Sequence, residues 1–539
     1  MSSKLFRGTL ILSLGTYISK FLGLFYVIPF YALIGGEDNA ALYTYGYTPY
    51  TIFLTVATAG VPLAVSKFIS KYNTLGEYEV GRKLFRSGLL VMTLTGILSF
   101  IVMYVSAPFL AEITIPNDEQ KVAVADVTTV IRAVSFALII IPFMSLIRGF
   151  FQGHQSMGPS AVSQVVEQIV RIAFLLAGVY VVLNLMDGNL TTAIAVATFA
   201  ATVGGIASLA ILGWYWFKRK PGLDTMLEEN PGSIDVSYKE MYKEILIYSV
   251  PFVFVGLANP LFQIIDQFTF NKAMGAIGLA AGADRAFGVL NFSSHKLVII
   301  PVSLATAFSM TLIPLVTESF IKNDRRELKQ QLDQTFQVLL YLTIPAAVGI
   351  SILAEPAYTI FYAHSELGTE VLRAYAPVAI LFALFAVTAA ILQGINEQKY
   401  TILSLLVGLL VKLVLNIPLI KAFETQGAII ATTLGYLIAI IINLVVIRHY
   451  AEYKFTMIFR RVLLMGAFNG VMAFVVWIIY LLLQLFLSPA NTFSATIIVS
   501  ICGSVGVVVY FYLGFRSHLI DKLFGARATK LRRKLRLGS

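Results

Sequence analysis

The sequence predicts an all-α integral membrane protein with fourteen transmembrane helices. Of its 539 residues, 58% are hydrophobic and only 13% are charged, whereas soluble domains average about 25% charged residues. The apolar residues fall in runs of about 20 or more, the length that an α-helix needs to cross a bilayer. Basic residues are concentrated in alternate loops, which is typical of loops on the cytoplasmic side of a membrane.

Fourteen apolar segments meet the length criterion. The first is too long for a signal peptide and is not followed by a cleavage site, so it counts as a span. The segments cover residues 8–34, 46–70, 86–110, 125–150, 157–184, 191–217, 243–268, 290–319, 333–354, 371–394, 400–420, 426–448, 461–486 and 493–514.

The distribution of lysine and arginine orients these segments. With both termini placed in the cytoplasm, 30 of the 40 basic residues lie on the cytoplasmic side, 5 lie in external loops and 5 lie within spans. This asymmetry predicts that both termini are cytoplasmic. The net charge of +11 therefore indicates a cytoplasmic membrane face rather than a nucleic-acid partner.

Several classes of site are excluded by the sequence. The single cysteine, Cys502, rules out a disulfide within the chain and a cysteine-based metal centre. The five histidines show no zinc-binding spacing, and no P-loop motif is present. We therefore expect a transporter rather than an enzyme, with no catalytic residues, no resident cofactor and no metal.

Short motifs recur in the two halves of the chain. A Pro-Leu pair is followed by a Phe-Ile pair six residues later, at residue 62 and again at residue 314. A Gln-Gly pair ends the fourth span at Gln152 and the tenth at Gln393. The similar offsets, 252 and 241 residues, predict that spans 1–6 and 7–12 are duplicated six-helix bundles. This is the parallel-repeat plan of alternating-access transporters.

The repeat predicts a division into five regions. Spans 13 and 14 lie outside the repeat, and the basic C-terminal tail either binds anionic lipids or acts only as a topology anchor. The expected regions are an N-terminal bundle at 1–217, a cytoplasmic linker at 218–242, a C-terminal bundle at 243–448, helices 13 and 14 at 449–514, and the tail at 515–539.

Ionisable residues within the spans are candidates for function, because a charge at the helix centre costs at least about 2.5–3.5 kcal/mol. Glu167 and Arg171, four residues apart, share a helix face and favour a self-neutralising pair, which Arg132 could extend. Asp266 either couples to a cation or pairs with a lysine. The seven candidates are Lys20, Arg132, Glu167, Arg171, Asp266, Lys296 and Lys412, of which the last is expected to be mostly structural.

Lys20 and Lys296 are the best candidates for binding an anion. Each lies in the first or second span of one half, without a carboxylate four residues away on its own helix. Lys20 stands roughly 20 Å from the cytoplasmic start of its helix at 1.5 Å per residue, too far for its side chain to reach that surface. A cavity lined by such cations favours an anion, and phosphate is the natural choice.

Three stretches resemble motifs of MurJ-type lipid II flippases, in the YtgP/SpoVB-like polysaccharide-flippase branch of the MOP superfamily. They are residues 16–23 in the first span, 148–153 at the end of the fourth, and 296–301 in the eighth. The resemblance implies a MATE-like, V-shaped pair of six-helix bundles in pseudo-twofold repeat. It also implies a central cationic cavity and a polyprenyl-tail groove at helices 13 and 14. The implied function is transfer of undecaprenyl-diphosphate-linked peptidoglycan precursor from the inner to the outer leaflet of the bacterial plasma membrane.

The resemblance also assigns residues. The family's basic cavity positions correspond to Lys20 and Lys296. A second basic position in helix 1 falls on Tyr26 and one in helix 2 falls near Leu54, so some charge is missing or is supplied elsewhere, for example by Arg132. The implied substrate-binding residues are therefore Lys20, Lys296, Tyr26 and Arg132.

The driving force and the partners are less defined. Some relatives carry a sodium site, to which Asp266, Asn416 and Thr432 would contribute, although Ile420 replaces a further carboxylate. Coupling to Na⁺, to H⁺ or to the membrane potential stays open. The expected partners are a lipid-linked saccharide and membrane lipids. We expect a monomer, and association with cell-wall synthesis proteins stays open.

Two alternative functions remain at this point: a flippase for another lipid-linked polysaccharide, and MATE-like cation-coupled multidrug efflux. Efflux of cationic drugs should require acidic residues in the cavity, whereas the best candidates here are basic. A membrane-embedded glycosyltransferase would need carboxylates near the membrane surface and a sizeable external loop, and neither is present in the sequence.

Overall fold

Helices make up all the regular structure in the described part of the chain, which confirms the predicted all-α class. The structure is a computed structural model that describes residues 3–58, 60–116, 120–228 and 235–524. In these residues, twelve helices are long and apolar enough to cross a membrane. The chain divides into two compact units, Met1–Arg285 and Ala286–Ser539.

The first unit carries the helices that hold Lys20, Arg132, Glu167, Arg171 and Asp266. A π-helical turn, Val181–Leu185, extends its eighth helix. The helices are α1 (Ser3–Phe25), α2 (Val27–Leu33), α3 (Glu37–Thr58), α4 (Val61–Thr74), α5 (Tyr78–Thr114), α6 (Val124–Ser135), α7 (Ala137–Gly153), α8 (Met157–Tyr180), α9 (Leu190–Glu228), α10 (Tyr238–Gly275) and α11 (Ala280–Gly288), which crosses the unit boundary.

The second unit carries the helices that hold Lys296, Lys412, Asn416 and Thr432. A second π-helical turn, Val289–Ser294, leads into its first long helix. The helices are α12 (His295–Ile321), α13 (Arg325–Ile352), α14 (Ala354–Tyr362), α15 (Glu366–Tyr375), α16 (Val378–Gly394), α17 (Gln398–Tyr450), α18 (Thr456–Gln484), α19 (Thr492–Arg516) and α20 (Leu519–Phe524).

The predicted second span is broken between α3 and α4. At the break, Gly60 has a φ of +77°, a left-handed conformation that glycine adopts without strain. A Cβ atom at this position would lie 2.8 Å from the Cβ atom of Phe252 and 2.9 Å from the carbonyl oxygen of Ser249. Glycine therefore allows both the sharp turn and the close approach of α10.

The predicted eleventh and twelfth spans run together as α17, an element of 53 residues. Glu424 interrupts it with non-helical angles, φ 52° and ψ −133°, so two helical segments meet at this residue. The count of fourteen spans requires α3 and α4 to act as one span and α17 as two. That count and the two-bundle repeat stay predictions.

The seventh predicted span, α10, packs on α3, α4 and α5 and belongs to the first unit. Aromatic rings join α5 to α7 and α9 at the predicted cytoplasmic side, where the ring centroid of Phe85 lies 4.3 Å from that of Phe150 and 4.8 Å from that of Trp216. In the second unit, α18 packs on α13 and on α19. Tyr341 of α13 and Tyr510 of α19 place their ring centroids 4.7 Å apart. The predicted helices 13 and 14, which are α18 and α19, thus pack on α13 of the second unit.

Candidate substrate-binding site

Lys20 lies on α1 within the stretch that packs against α8. Before it, the Thr16 hydroxyl donates to Gln164 Oε1 at 3.1 Å. After it, Gly23 lies so close to α8 that a Cβ atom there would be 3.1 Å from Gln168 Nε2. Lys20 itself is exposed. The neighbouring contacts fix its backbone while the ammonium group stays accessible to a ligand.

Lys296 lies at the beginning of α12, directly after the π-helical turn. Its Nζ atom is 4.2 Å from the ring centroid of Phe292, and the side chain is half-buried. The neighbouring His295 Nδ1 is 3.0 Å from the hydroxyl of Tyr375. π-Helical turns in α-helices are frequent at functional sites. This turn gives Lys296 a defined position on α12, next to an aromatic ring that favours a cation.

The predicted Glu167–Arg171 pair is wrong. Glu167 instead accepts a hydrogen bond from Arg148 Nη2 at 2.7 Å. Arg148 also donates to the hydroxyl oxygens of Ser163 at 3.0 Å and Ser208 at 2.8 Å. The spacing rule considers partners on one helix only, and here an arginine from α7 has the better geometry for the carboxylate.

Arg171 is held by tyrosines instead. Its Nη2 atom donates to the Tyr47 hydroxyl at 2.8 Å, and its guanidinium carbon is 5.3 Å from the Tyr47 ring centroid. The Tyr47 ring stacks on Tyr43, with centroids 5.3 Å apart, and lies 5.2 Å from Tyr50. In the described part of the chain, no carboxylate forms an ion pair with Arg171.

The proposed extension of the pair by Arg132 is also wrong. Arg132 packs over the Tyr104 ring of α5, with its guanidinium carbon 4.9 Å from the centroid, and its Nε atom lies 3.5 Å from the Tyr104 carbonyl oxygen. Tyr26, in contrast, lies at the junction of α1 and α2 and hydrogen-bonds Tyr43. The structure therefore brings Tyr26 to the Arg171 tyrosines and places Arg132 against a different helix.

The candidate ion-coupling residues are buried. Asp266 belongs to α10 of the first unit, whereas Asn416 and Thr432 lie in the two segments of α17 in the second. The Thr432 hydroxyl accepts a hydrogen bond from the fully buried Lys412 Nζ at 2.6 Å. A lysine ammonium therefore occupies one face of the oxygen that was expected to bind a cation. The described residues contain no cluster of three or more His, Cys, Asp or Glu side chains suited to a metal.

Sequence reasoning missed the tyrosines on α3. Tyr43, Tyr47 and Tyr50 are spaced by four and three residues, so they share one face of a helix. That spacing was a usable signal for an aromatic surface facing a neighbouring helix. The partner is not predictable from local spacing, because Arg171 lies 124 residues from Tyr47 in the chain.

Comparison with known proteins gives two family matches. A family described as polysaccharide biosynthesis protein matches residues 5–320. A second family, described as MatE, matches residues 251–418. Together, these matches cover most of the two units.

Individual relatives match over four fifths of this chain or more. The lipid II flippase MurJ of Bacillus subtilis is 48% identical, over 99% of both chains. The stage V sporulation protein B of the same organism is 24% identical, over 81% of this chain and 82% of its own. Among solved structures, a lipid II flippase MurJ in an inward closed conformation matches with a TM-score of 0.66 at 15% identity, over 95% of this chain and 99% of its own. An inward-facing MATE transporter of the MOP superfamily gives a TM-score of 0.63 at 14% identity, over 80% and 94%.

Proposed function

The chain belongs to the polysaccharide biosynthesis protein family, and from this premise we propose that it is a flippase for lipid II. It moves this lipid-linked peptidoglycan precursor from the inner to the outer leaflet of the bacterial plasma membrane by alternating access. The observation that carries the proposal is the full-length similarity to the B. subtilis lipid II flippase MurJ. The relatives are flippases and transporters, so the chain is a transporter and not an enzyme.

Lys20 and Lys296 have the chemistry to bind the diphosphate of such a substrate. Hydrogen bonds between an ammonium group and a phosphate oxygen are charge-assisted and stronger than neutral ones. Lys20 is accessible on α1, and Lys296 is held beside an aromatic ring at the start of α12. Each unit thus contributes one cation with the chemistry to bind a phosphate oxygen.

The architecture that we propose has fourteen spans, both termini in the cytoplasm and two six-helix bundles followed by two further helices. The twelve apolar helices support it, together with the break at Gly60 and the non-helical residue Glu424. The excess of basic residues in alternate loops supports the orientation. We propose that the protein acts as a monomer.

We propose that the membrane potential, rather than a sodium ion at Thr432, supports transport. Lys412 bonds the Thr432 hydroxyl, and an ammonium group repels a metal cation at the same oxygen. A membrane potential is worth about 2.3 kcal/mol per elementary charge per 100 mV. Because the cell interior is negative, it favours outward movement of an anionic headgroup. Collapse of the potential in proteoliposomes should therefore slow transport, whereas replacing Na⁺ by K⁺ should not.

Multidrug efflux is the second candidate, and the MatE match over residues 251–418 favours it. Cationic drugs require acidic cavity groups, and the carboxylate of Glu167 is already engaged by Arg148. A cell that overproduces the protein should therefore show unchanged resistance to cationic drugs. Increased resistance that depends on Asp266 would favour efflux instead.

The direct test is complementation of a bacterial strain depleted of its lipid II flippase. Expression of this chain should restore growth and the appearance of lipid II in the outer leaflet, measured with an externally added lipid II-degrading enzyme. Immunoblotting of membranes verifies production. Normal amounts of protein without lipid II transfer would contradict the proposal, and rescue of another glycan pathway alone would favour a different lipid-linked polysaccharide.

A further inference from the structure

Arg171 is a charged side chain to which the proposed function assigns no role. It lies on α8, in the interior of a predicted membrane span, and four tyrosines surround it. These tyrosines, called the tyrosine cluster below, are Tyr26, Tyr43, Tyr47 and Tyr50. A guanidinium group does not lose its proton in a protein, so this position carries a permanent positive charge.

The charge of Arg171 is not neutralised by the carboxylate on its own helix. Glu167 is bonded by Arg148, which Ser163 and Ser208 hold in place. The tyrosine cluster provides neutral phenols, which orient the guanidinium without cancelling its charge. Since an unneutralised charge at membrane depth is expensive, its presence is typical of a pathway for a charged substrate.

Most of the hydrogen-bonding capacity of Arg171 is available. An arginine has five N–H donors, and among the described residues only Tyr47 accepts a hydrogen bond from this one, through Nη2. The side chain is half-buried. The planar guanidinium can therefore offer two parallel donors to a phosphate group, an arrangement that favours arginine at phosphate sites.

The position of Arg171 is fixed before any ligand arrives. Behind it, a Cβ atom on Gly204 of α9 would lie 2.9 Å from the Arg171 Cβ atom, so the two helix backbones are in close contact. In front of it, Tyr47 is held between the rings of Tyr43 and Tyr50. This preorganisation reduces the entropy that binding would otherwise lose.

Arg171 and Lys20 lie along the same helix interface. Thr16 contacts Gln164, and Gly23 contacts Gln168, so α1 and α8 run in the same direction. From this register and a rise of 1.5 Å per residue, Lys20 lies roughly 7 Å along the interface from Arg171. A lysine side chain is long enough for the Lys20 ammonium group and the Arg171 guanidinium to contact a single diphosphate group.

We propose that Arg171, oriented by the tyrosine cluster, binds the diphosphate of the lipid-linked substrate together with Lys20. This inference rests on the proposed function, because it assigns a further binding group to the same substrate. The Tyr47 hydroxyl has the role of a positioning group that aims the guanidinium. The recognised chemistry is a diphosphate ester, which distinguishes the substrate from the phosphate monoesters and diesters of other membrane lipids.

Purified protein in detergent tests this with undecaprenyl diphosphate as the probe and native mass spectrometry as the measurement. Arg171→Gln should weaken binding about tenfold or more, as expected for loss of charge-assisted hydrogen bonds. Arg171→Lys should fall between, because it keeps the charge without the planar fork. Tyr47→Phe should weaken binding by a smaller factor. Arg285→Gln is the matched control, since Arg285 is half-exposed in an ion pair with Glu37, and it should bind as the wild type does.

The outcomes separate the two proposals. Failure of the wild-type chain to bind the diphosphate lipid or to complement contradicts the proposed function itself. Normal binding by a folded Arg171→Gln protein, with an unchanged melting temperature, overturns only the role of Arg171. If Arg171→Gln does not fold, wild-type affinity in both Arg171→Lys and Tyr47→Phe overturns it. The role of Arg171 is also overturned if Arg171→Gln weakens binding of phosphatidylglycerol or undecaprenyl monophosphate by the same factor as binding of the diphosphate. The site would then bind lipid phosphate in general.

Discussion

The guanidinium of Arg148 bonds the carboxylate of Glu167 across a distance of 2.7 Å. Because Arg148 also donates to Ser163 of α8 and Ser208 of α9, one side chain of α7 joins three helices. Arg171 lies on the same helix as Glu167, yet it makes its hydrogen bond to Tyr47. Arg148 therefore depends on the Glu167 carboxylate whereas Arg171 does not, and a mutational experiment can measure this difference.

Glu167→Gln should destabilise the protein through Arg148. Breaking a fully buried ion pair costs about 3–5 kcal/mol, and partial exposure of both side chains reduces this to about 1–3 kcal/mol. In a double-mutant cycle, Glu167→Gln and Arg148→Gln should be non-additive, whereas Glu167→Gln and Arg171→Gln should add. Thermal unfolding in detergent provides the measurement. Strong coupling of Glu167 to Arg171 instead would show that these two residues form the pair in solution.

The sequence predicts features that are set within one stretch of chain, but not contacts between separate helices. The all-α class follows from runs of apolar residues, and Gly60 is an ordinary helix breaker that a sequence can signal. The partner of Glu167 does not follow, because the i,i+4 rule considers one helix and Arg148 reaches the carboxylate from another.

Non-local packing also explains the other differences. Contact between Arg132 and Glu167 would require consecutive antiparallel helices to face each other with their charges, but Arg132 packs over the Tyr104 ring of α5 instead. Lys412 was expected to be structural, and its bond to Thr432 joins the two segments of α17 across the non-helical residue Glu424. No pattern within either segment predicts that contact.

Lys20→Ala and Lys296→Ala should each abolish transport while the protein still reaches the membrane. Both substitutions remove a charge that we propose binds the substrate diphosphate. Arginine at either site should retain activity, because arginine keeps the charge and bonds phosphate well. Complementation of the flippase-depleted strain is the measurement, and the exposed residue Lys220 provides the control variant, Lys220→Ala, which should complement. Normal complementation by both Lys20→Ala and Lys296→Ala would refute the anion-binding role.

Cysteine labelling should establish the orientation. With Cys502, which is buried, replaced by serine, a cysteine at Asp187 should react with an impermeant maleimide added outside the cell. A cysteine at Glu228 should react only after the membrane is permeabilised. Both positions are exposed in the structure, so reactivity reports the side of the membrane and not burial. Labelling of both from one side would exclude the fourteen-span topology.

His154 should make the stability of the first unit sensitive to acid. Burial, assisted by the positive charge of Arg82, holds the pKa of His154 below its ordinary value of 6.5. Folding therefore keeps the imidazole neutral, while the unfolded chain takes up a proton below about pH 6.5. The stability contribution is complete above pH 6.5 and is lost as the pH falls towards the folded-state pKa.

The variant His154→Gln should therefore lose less thermal stability than the wild type between pH 7.5 and pH 5, measured by melting in detergent. The comparison at pH 8 is the control, because the imidazole is neutral there in both the folded and the unfolded state. Parallel pH curves for the two proteins would show that His154 does not contribute to acid sensitivity.

The outer face of α18 should contact the polyprenyl tail of the substrate. Apolar side chains recur along this face at helical spacing and are exposed. The opposite face, with Met472, Val476 and Tyr480, is buried in the second unit. The exposed residues are Val471, Phe474, Ile478 and Leu482, with Phe486 just beyond the end of α18. An exposed apolar face at this position is suitable either for bulk lipid or for one bound chain.

The tail has a physical reason to use such a face. Transfer of each CH₂ group from water to an apolar environment is worth about 0.8 kcal/mol, so a long polyprenyl chain will not follow its headgroup into a wet cavity. A photoreactive amino acid at Ile478 should therefore crosslink a polyprenyl-phosphate probe in a saturable manner, with competition by unlabelled lipid-linked precursor. Leu98 on α5, also exposed and apolar, is the matched control and should crosslink without saturation. Identical, non-competed crosslinking at both positions would show that α18 faces only bulk lipid.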